Sequence, residues 1–463
     1  MTGPKFMRTI KHILTVALAL LAGVAQAQPV RVTDIADVAK FYAANPKAIP
    51  SEAASRDASV LDGKPGDGFT AGYAKCNPLD AAGKLLLAPR SDGRIGVYDW
   101  AAHKFLGTLA MSASKELNTI FDPTWDRNRA GWVTWHDVDW PRVMRQPWDS
   151  PSSATQVAKL PDGYVLFSNG GEADTDDKGL YYAVKRSKGG YAPATGKYQA
   201  PQCGVCDLTA GKFLEGWVDG NPNAIDIAPN GKWFAWLNHE DAAAAEPNRL
   251  YRIADLAAGE IKPVMVDSAV TTGVISGVRM PVKSLGHNGW AYLADGRCVL
   301  VYQDNRDDWM KFFDPETGKS TRICTLAAIG GVGQHIARAG RPGFALVSTY
   351  GAGLADPQIC WLELATGKVT KVCSTNVKAA WTIYNPGNAY FTEGYASVDV
   401  KGENAFYAGN LAGTDNLEAY RVVLPAPGGA VPTPTPTPTP TPPPILIQGT
   451  QGGKPVSISI SIQ

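Results

Sequence analysis

The chain has 463 residues and a formal net charge of +1, from 44 Lys plus Arg against 43 Asp plus Glu. Such a balance, with no basic stripe, gives no electrostatic reason to bind nucleic acid or an anionic membrane. The sequence also lacks a nucleophile elbow, a Walker loop, an H-E-x-x-H zinc motif, a haem attachment motif and a dinucleotide fingerprint. The enzyme classes that depend on those motifs are excluded.

The N-terminus has the pattern of a secretory signal peptide over residues 1–27. Lys5, Arg8 and Lys11 precede an apolar run over residues 13–24, and Ala25-Gln26-Ala27 fits a cleavage site. A membrane anchor is the alternative, but the run is much shorter than the span of about 20 residues that a bilayer requires. The sequence predicts an exported protein without a membrane span, located outside the cell, on its surface or in the periplasm.

Residues 28–75 are predicted to be a lead-in that contains one helix. The helix covers residues 34–45, where Ile35, Val38, Phe41 and Tyr42 share one face and Pro46 follows. After the lead-in, turn signals recur about every 8 to 12 residues, as in sandwiches, barrels and propellers. The 48 Gly, 34 Pro, 13 Trp and 17 Tyr also favour turns and short strands.

A repeat distinguishes among these folds. Segments 286–324 and 334–373 both read as three strands, a Thr-Gly-Lys turn and a fourth strand. The turns start at Thr317 and Thr366, so the period is 366 − 317 = 49 residues. Residues 223–264 are a third copy, residues 81–109 are a weaker fourth, and a fifth ends near Leu424. Four strands per repeat of this length are typical of a propeller blade.

The sequence therefore predicts an all-β fold, a β-propeller of four-stranded antiparallel blades over residues 76–425. The length favours seven blades, with eight as the alternative. A solenoid of β-hairpins is the competing architecture, but it would need a shorter period and fewer aromatic residues.

Seven cysteines in an exported chain predict disulfides and at least one unpaired thiol. Cys203 and Cys206 form a C-x-x-C motif, and we expect a local disulfide there because no second motif completes a zinc site. In the hairpin over residues 359–373, a two-residue turn at Thr366-Gly367 would place Cys360 directly opposite Cys373. That register predicts a second disulfide.

The C-terminus changes character. Residues 426–444 are a Pro/Thr-rich linker with extended polyproline II character. Residues 445–463 form a β-strand tail, in which Val456, Ile458, Ile460 and Ile462 alternate with serines. Such a strand could pair with its own propeller or with a neighbouring copy, giving a homo-oligomer, a filament or surface attachment. A disordered remnant of a lost binding module is the alternative.

Two histidines occupy similar positions in adjacent repeats. His287 and His335 stand nine and eight residues before the glycines that end their first strands. Because first strands line the channel of a propeller, we expect both rings at one channel mouth, within about 10 Å of each other. Gln334 precedes His335, and Arg306 and Tyr350 follow the second strands of the two repeats. This group offers a base, metal ligands, a cation and a phenol; hydrogen bonding between blades is the structural alternative.

The other histidines of the mature chain give weaker signals. His136 and His239 each lie beside acidic residues. Either could join the same mouth or cap a loop. His103 lies in a hairpin turn, where we expect it to be solvated.

The segments GHNGW (286–290), GQHIA (333–337) and RPGFALVSTY (341–350), with the D-x-x-T-G hairpin, resemble the propeller polysaccharide lyases of the oligogalacturonate-lyase and ulvan-lyase kind. They are also similar to TolB-like bacterial propellers. The resemblance covers residues 223–424. It implies an extracellular acidic polysaccharide as substrate and β-elimination as the reaction.

The resemblance also implies site residues. Oligogalacturonate-type lyases bind a divalent metal, and His287, Gln334 and His335 would be the ligands for Mn or Ca here. The second histidine that follows their Gln-His pair is missing in this sequence. In an ulvan-type mechanism, His287, His335 and Tyr350 would transfer protons and Arg306 would neutralise the uronate. The histidines favour a lyase, whereas the tail favours a non-catalytic extracellular propeller that binds a polymer or self-assembles.

Overall fold

The computed structural model describes residues 30–31, 79–89, 95–99, 104–109, 123–136, 140–167, 175–195, 197–237, 248–267, 271–275, 278–282, 285–330, 334–338, 340–349, 358–374, 396–409, 418–424, 445–451 and 454–460. The chain divides into two compact units, residues 1–431 and 432–463. The predicted signal peptide, the predicted helix over residues 34–45 and the linker lie outside the described residues.

The described elements are nearly all strands, as the composition predicted. The strands of the first unit are β1 (Val30–Arg31), β2 (Leu85–Pro89), β3 (Ile95–Asp99), β4 (Lys104–Thr108), β5 (Thr124–Trp125), β6 (Trp132–His136), β7 (Arg142–Pro147), β8 (Thr155–Lys159), β9 (Tyr164–Phe167), β10 (Tyr181–Lys188), β11 (Tyr191–Ala192), β12 (Lys197–Tyr198), β13 (Pro201–Asp207), β14 (Lys212–Phe213), β15 (Val218–Asp219), β16 (Ala224–Ile227), β17 (Trp233–Leu237), β18 (Arg249–Arg252), β19 (Pro263–Met265), β20 (Thr271–Ile275), β21 (Val278–Val282), β22 (Asn288–Tyr292), β23 (Cys298–Asp304), β24 (Trp309–Asp314), β25 (Lys319–Thr325), β26 (Gln334–Ile336), β27 (Phe344–Thr349), β28 (Gln358–Glu363), β29 (Val369–Ser374), β30 (Ser397–Val398), β31 (Asn404–Gly409) and β32 (Glu418–Val423). Among the described residues, one short helix, α1 (Ile253–Ala257), and two 3₁₀-helices, Pro151–Ser153 and Leu326–Ile329, complete the elements of this unit.

The strands form antiparallel sheets that follow one another along the chain. Six sheets have four or five strands: β5–β8, β9-β10-β13-β14 with β15, β16–β19, β22–β25, β26–β29 and β30-β31-β32-β1. A further sheet, β2–β4, has three strands, and the Leu79–Leu86 bridge extends it on the side of β2. The predicted propeller is confirmed with six complete blades; a count of seven includes the three-stranded sheet.

The N-terminal strand closes the ring of blades. β1 pairs with β32 through Val30–Arg421 and Arg31–Tyr420, so it is the outermost strand of the last blade. A pocket lined by residues 79–83, 399–401, 403 and 404 brings the first sheet beside the last blade. Residues 30–31, which we predicted within a lead-in, therefore belong to the propeller.

The apolar core lies between consecutive blades. Val299 and Val301 of β23 pack in one cluster with Ile336 of β26 and Val347 of β27, and each of these residues is at most 1% exposed. Equivalent clusters join the other successive sheets. Burial at each blade interface, rather than within a single central core, holds this part of the chain together.

The predicted pairing of Cys360 with Cys373 is wrong, because the hairpin register differs. Gly367 adopts φ 72° and its N–H donates to the Glu363 carbonyl, so the connection is a longer loop than a two-residue turn. A β-bulge then shifts the register between Ile359 and Cys360. Cys373 consequently lies opposite Ile359, one position away from Cys360.

The predicted bridge between Cys203 and Cys206 is also wrong. Both are buried free thiols within β13, and no disulfide forms among the cysteines that the structure describes. Residues three apart on a strand point to opposite faces, so their sulfur atoms cannot meet. Cys203 instead donates to the Gly220 carbonyl at 3.4 Å, and burial raises the pKa of this thiol to about 12.

The second unit is a β-hairpin of β33 (Ile445–Gln451) and β34 (Lys454–Ile460). The strand predicted in the tail is confirmed over these residues, and Ile462 lies outside the described part. The register places Ile445 opposite Ile460 and Ile447 opposite Ile458. In the part of the chain that the structure describes, no helix is long and apolar enough to cross a membrane.

Candidate functional site

The two predicted site histidines lie at equivalent ends of adjacent blades. His287 immediately precedes β22, and its carbonyl accepts a hydrogen bond from the Gln303 N–H at 2.9 Å. His335 is the second residue of β26 and pairs with Ser348. β22 and β26 are the first strands of their sheets, so both histidines stand where a first strand begins.

The two imidazole rings are in contact. Their centroids lie 4.6 Å apart and their planes are inclined by 65°, an edge-to-face arrangement. His335 is only 1% exposed, whereas His287 is half-buried. The predicted proximity of the rings is confirmed, and their chemical role remains a prediction.

Gly289 explains why the rings can approach. A Cβ on Gly289 would lie 2.6 Å from the Ile336 carbonyl oxygen, closer than real Cβ contacts come. Only a glycine lets β22 run this near to β26. The glycine in GHNGW is thus part of the site, a role that the sequence pattern did not indicate.

Arg306 is held by ionic contacts inside the protein. Its guanidinium is 8% exposed and donates to Asp304 at 2.6 Å and 2.7 Å, and it lies 2.7 Å from Asp267 Oδ2. Burial lowers the pKa of Arg306, but the hydrogen bonds and charge of Asp304 outweigh burial and raise it. The two carboxylates compensate the charge of this guanidinium, and its role in neutralising a uronate remains a prediction.

Arg306 belongs to a larger buried ion network. Lys311 reaches Asp304 at 2.6 Å and Asp307 at 2.8 Å. Burial raises the pKa of the Asp304 carboxyl, but the hydrogen bonds from Arg306 and Lys311 hold it below its ordinary value. The network fixes the loop after β23, beside the strand end that carries His287.

The described residues do not by themselves form the implied metal site. Among them, no group of three or more His, Cys, Asp or Glu is placed to hold a metal ion. His287 and His335 supply two nitrogen donors, whereas manganese and calcium favour several oxygen ligands. Gln334 pairs with Thr349 through the backbone, its side chain lies outside the described part, and so does Tyr350.

His136 is a structural histidine. Its Nδ1 lies 3.1 Å from the Tyr182 hydroxyl and its Nε2 lies 3.2 Å from the Phe167 carbonyl. The carbonyl can only accept, so Nε2 donates to it, and in the neutral tautomer Nδ1 accepts from Tyr182. This buried residue joins the blade of β6 to the blade of β9 and β10. His103 and His239 lie outside the described residues.

The other end of the first strands carries a charged cluster centred on Asp177. Arg127 donates to Asp177 at 2.9 Å, the Tyr292 hydroxyl donates to it at 2.9 Å, and Arg338 lies 3.7 Å away. These three partners come from three other sheets. The two ends of the first strands therefore differ: one carries a charged cluster that joins several sheets, and the other carries the histidine pair.

The fold is similar to that of known polysaccharide lyases. An oligogalacturonate lyase in complex with manganese matches with a TM-score of 0.57 at 13% sequence identity, over 78% of this chain and 91% of its own. An oligogalacturonate lyase from Vibrio parahaemolyticus matches with a TM-score of 0.56 at 11% identity and the same coverage. The likeness shows the fold. No known family profile and no curated protein matches the sequence.

Proposed function

We propose that this is an exported propeller that acts on an acidic polysaccharide, as a β-eliminating lyase that uses His287 and His335. The observation that carries the proposal is the contact of the two imidazoles at one end of the first strands. A structural histidine such as His136 has both nitrogens bonded between buried groups, whereas His287 is half-buried and accessible to a substrate.

Two histidines supply both proton transfers of the reaction. A neutral imidazole takes the proton from the carbon α to the uronate carboxyl, and the electron pair forms a carbon–carbon double bond. The glycosidic C–O bond breaks, and a protonated imidazole donates its proton to the leaving oxygen. Imidazole is the side chain whose ordinary titration range suits both roles near neutral pH.

Whether the activity requires a divalent metal is a question for the assay below. One of the similar structures is a complex with manganese, and the family resemblance implies His287, Gln334 and His335 as the ligands here. A metal bound there would stabilise the charge that develops on the carboxylate. We assign no step to it, because the described donors are two nitrogens only.

The test is an assay on purified protein. Polygalacturonate, alginate and ulvan are incubated with the protein, with added Mn or Ca and with a chelator, while ultraviolet absorbance of the unsaturated product is followed. We expect product from at least one polymer. Absence of product from every polymer, with and without metal, contradicts the lyase proposal.

The C-terminal hairpin favours a second function, assembly through the tail. Its register places Ile445, Ile447, Val456, Ile458 and Ile460 on one face of a two-stranded ribbon. Two strands alone are marginally stable in water, so an apolar face gains stability by burial against another surface. The proposed occupant is a second copy of this chain, which would give a head-to-tail oligomer or filament.

A further inference from the structure

Arg186, near the end of β10, is held in a sandwich of aromatic rings. Its guanidinium carbon lies 3.6 Å from the centre of the Trp217 ring and 4.4 Å from that of Tyr164. Its Nε and Nη2 both donate to Gln202 Oε1, at 2.9 Å and 2.7 Å. Gly204 makes room for the sandwich, because a Cβ there would lie 2.7 Å from the Trp217 ring. Four strands and loops thus fix one guanidinium.

This guanidinium has no carboxylate partner among the residues that the structure describes. The nearby acid, Asp219, accepts a hydrogen bond from the Gln202 amide at 2.7 Å instead. Arg252 shows the contrast: it stacks on Trp233 at 4.6 Å but is paired with Glu316 at 3.0 Å. Burial lowers the pKa of Arg186, as expected for a desolvated cation whose charge is incompletely compensated.

Arg186 lies on the same face of the propeller as the histidine pair. Successive strands of a blade are antiparallel. The start of the first strand and the end of the second strand therefore lie on the same face of the propeller. His287 precedes the start of β22. Tyr164 starts β9, Arg186 lies close to the end of β10, and Gln202 lies close to the start of the third strand.

The surface around Arg186 is basic and aromatic. The hairpin of β11 and β12 extends from the same face, with Tyr191 49% exposed and paired with Tyr198. Lys188 and Lys197 are exposed and form no ion pair with any described residue. Aromatic rings beside unpaired cations suit a sugar ring that carries a negative charge.

We propose that Arg186 binds the carboxylate of an acidic sugar, in a subsite flanked by Lys188, Tyr191 and Lys197. This inference rests on the proposed function for its choice of ligand, an acidic polysaccharide. Because such a ligand is a polymer, the subsite binds one sugar unit of the polysaccharide while a different unit lies at the histidines. The guanidinium is preorganised by its aromatic neighbours, so little side-chain entropy is lost on binding.

The experiment compares Arg186→Gln and Arg186→Lys with the matched control Arg252→Gln, after each variant is shown to fold. Binding to polygalacturonate, alginate and ulvan, and to carboxyl-reduced polygalacturonate, is measured by calorimetry. Loss of a charged hydrogen bond predicts affinity about tenfold to a hundredfold weaker in R186Q. R186K keeps the charge but loses the planar fork, so an intermediate loss is expected. The control R252Q should bind the acidic polymers with the affinity of the unchanged protein. Carboxyl-reduced polygalacturonate should bind R186Q and the unchanged protein with equal affinity.

The outcomes separate this inference from the lyase proposal. Selective loss of binding in R186Q without any unsaturated product supports the subsite and contradicts the lyase. Product formation with an unchanged affinity and KM in R186Q supports the lyase and overturns the subsite. The subsite is also overturned if the unchanged protein binds none of the three acidic polymers, or if R252Q weakens binding as much as R186Q.

Discussion

Gly289 and Ile336 lie so close that a methyl group on the glycine would stand 2.6 Å from the isoleucine carbonyl oxygen. This contact joins the first strands of two adjacent blades. It sets the spacing at which His287 and His335 meet, since each histidine lies within two residues of the contact. The histidine pair therefore depends on a position that has no side chain.

Gly289→Ala is expected to lower the free energy of unfolding by about 1 to 3 kcal/mol, the usual cost of overpacking. It should also reduce lyase activity, because β26 must move away from β22. Urea denaturation measures the first effect and the polymer assay the second. Gly107→Ala is the matched control, since a Cβ there meets nothing within 4 Å. A G289A protein as stable as G107A would show that the strands are not held this close.

His287→Ala and His335→Ala should each reduce turnover by about 10²- to 10⁴-fold, the usual contribution of general acid–base catalysis. His335 is buried, so His335→Asn is tested as well, because asparagine leaves a smaller cavity than alanine. His136→Ala serves as the contrast: it should lower stability by about 1 to 3 kcal/mol through its lost buried hydrogen bonds and leave the folded fraction active. Near-normal turnover in the His335 variants would remove this residue from the mechanism.

Asp304→Asn should destabilise the protein by about 3 to 5 kcal/mol at pH 7, because Arg306 and Lys311 would lose a buried counter-charge. The pKa of Asp304 is depressed in the folded protein, so its contribution is present above the ordinary carboxyl pKa of about 3.9 and is lost as pH falls below it. Urea titrations should show a smaller difference in the free energy of unfolding between D304N and the unchanged protein at pH 3 than at pH 7. Asp295→Asn, at an exposed pair with Arg297, should change little. An equal gap at both pH values would contradict the assignment.

Cys203 and Cys206 should resist iodoacetamide in the native protein and react after unfolding without a reductant. Burial raises the pKa of both thiols, so the reactive thiolate is scarce as well as inaccessible. Peptide mapping by mass spectrometry measures the modification at each site. If labelling of the unfolded chain requires a reductant, the two cysteines form a disulfide after all.

Deletion of residues 432–463 should reduce particle size if the tail mediates assembly. The expected cause is loss of the apolar face of the β33–β34 hairpin, and Ile458→Lys should have the same effect with the tail retained. Ser459→Lys, on the other face by the same register, is the control. Light scattering and electron microscopy give the sizes. Assemblies that persist without the tail, or a full-length protein that is monomeric at high concentration, would contradict the assembly proposal.

The sequence determined the repeat, and with it the fold and the meeting of the two histidines. A period of 49 residues with four strands predicts blades, and equal positions in adjacent blades predict adjacent places at a channel end. His287 and His335 therefore could be paired without coordinates. The alternation in the tail likewise predicted a strand, which pairs with β33 in the structure.

Tertiary structure decided the strand register at the cysteines and the partners of two arginines, because these depend on turn length, bulges and residues distant in sequence. The longer turn placed Lys371 opposite Cys360, and the bulge beyond it left Cys373 opposite Ile359. Register shifts of one or two residues are invisible in a strand pattern. Arg306 is paired with Asp267, which precedes the hairpin of β20 and β21, and no sequence pattern indicated this partner. The sandwich around Arg186 draws on Tyr164, Gln202 and Trp217. Periodicity reports the faces of single strands, whereas the partner of a charged side chain is set by blade packing across many residues of sequence.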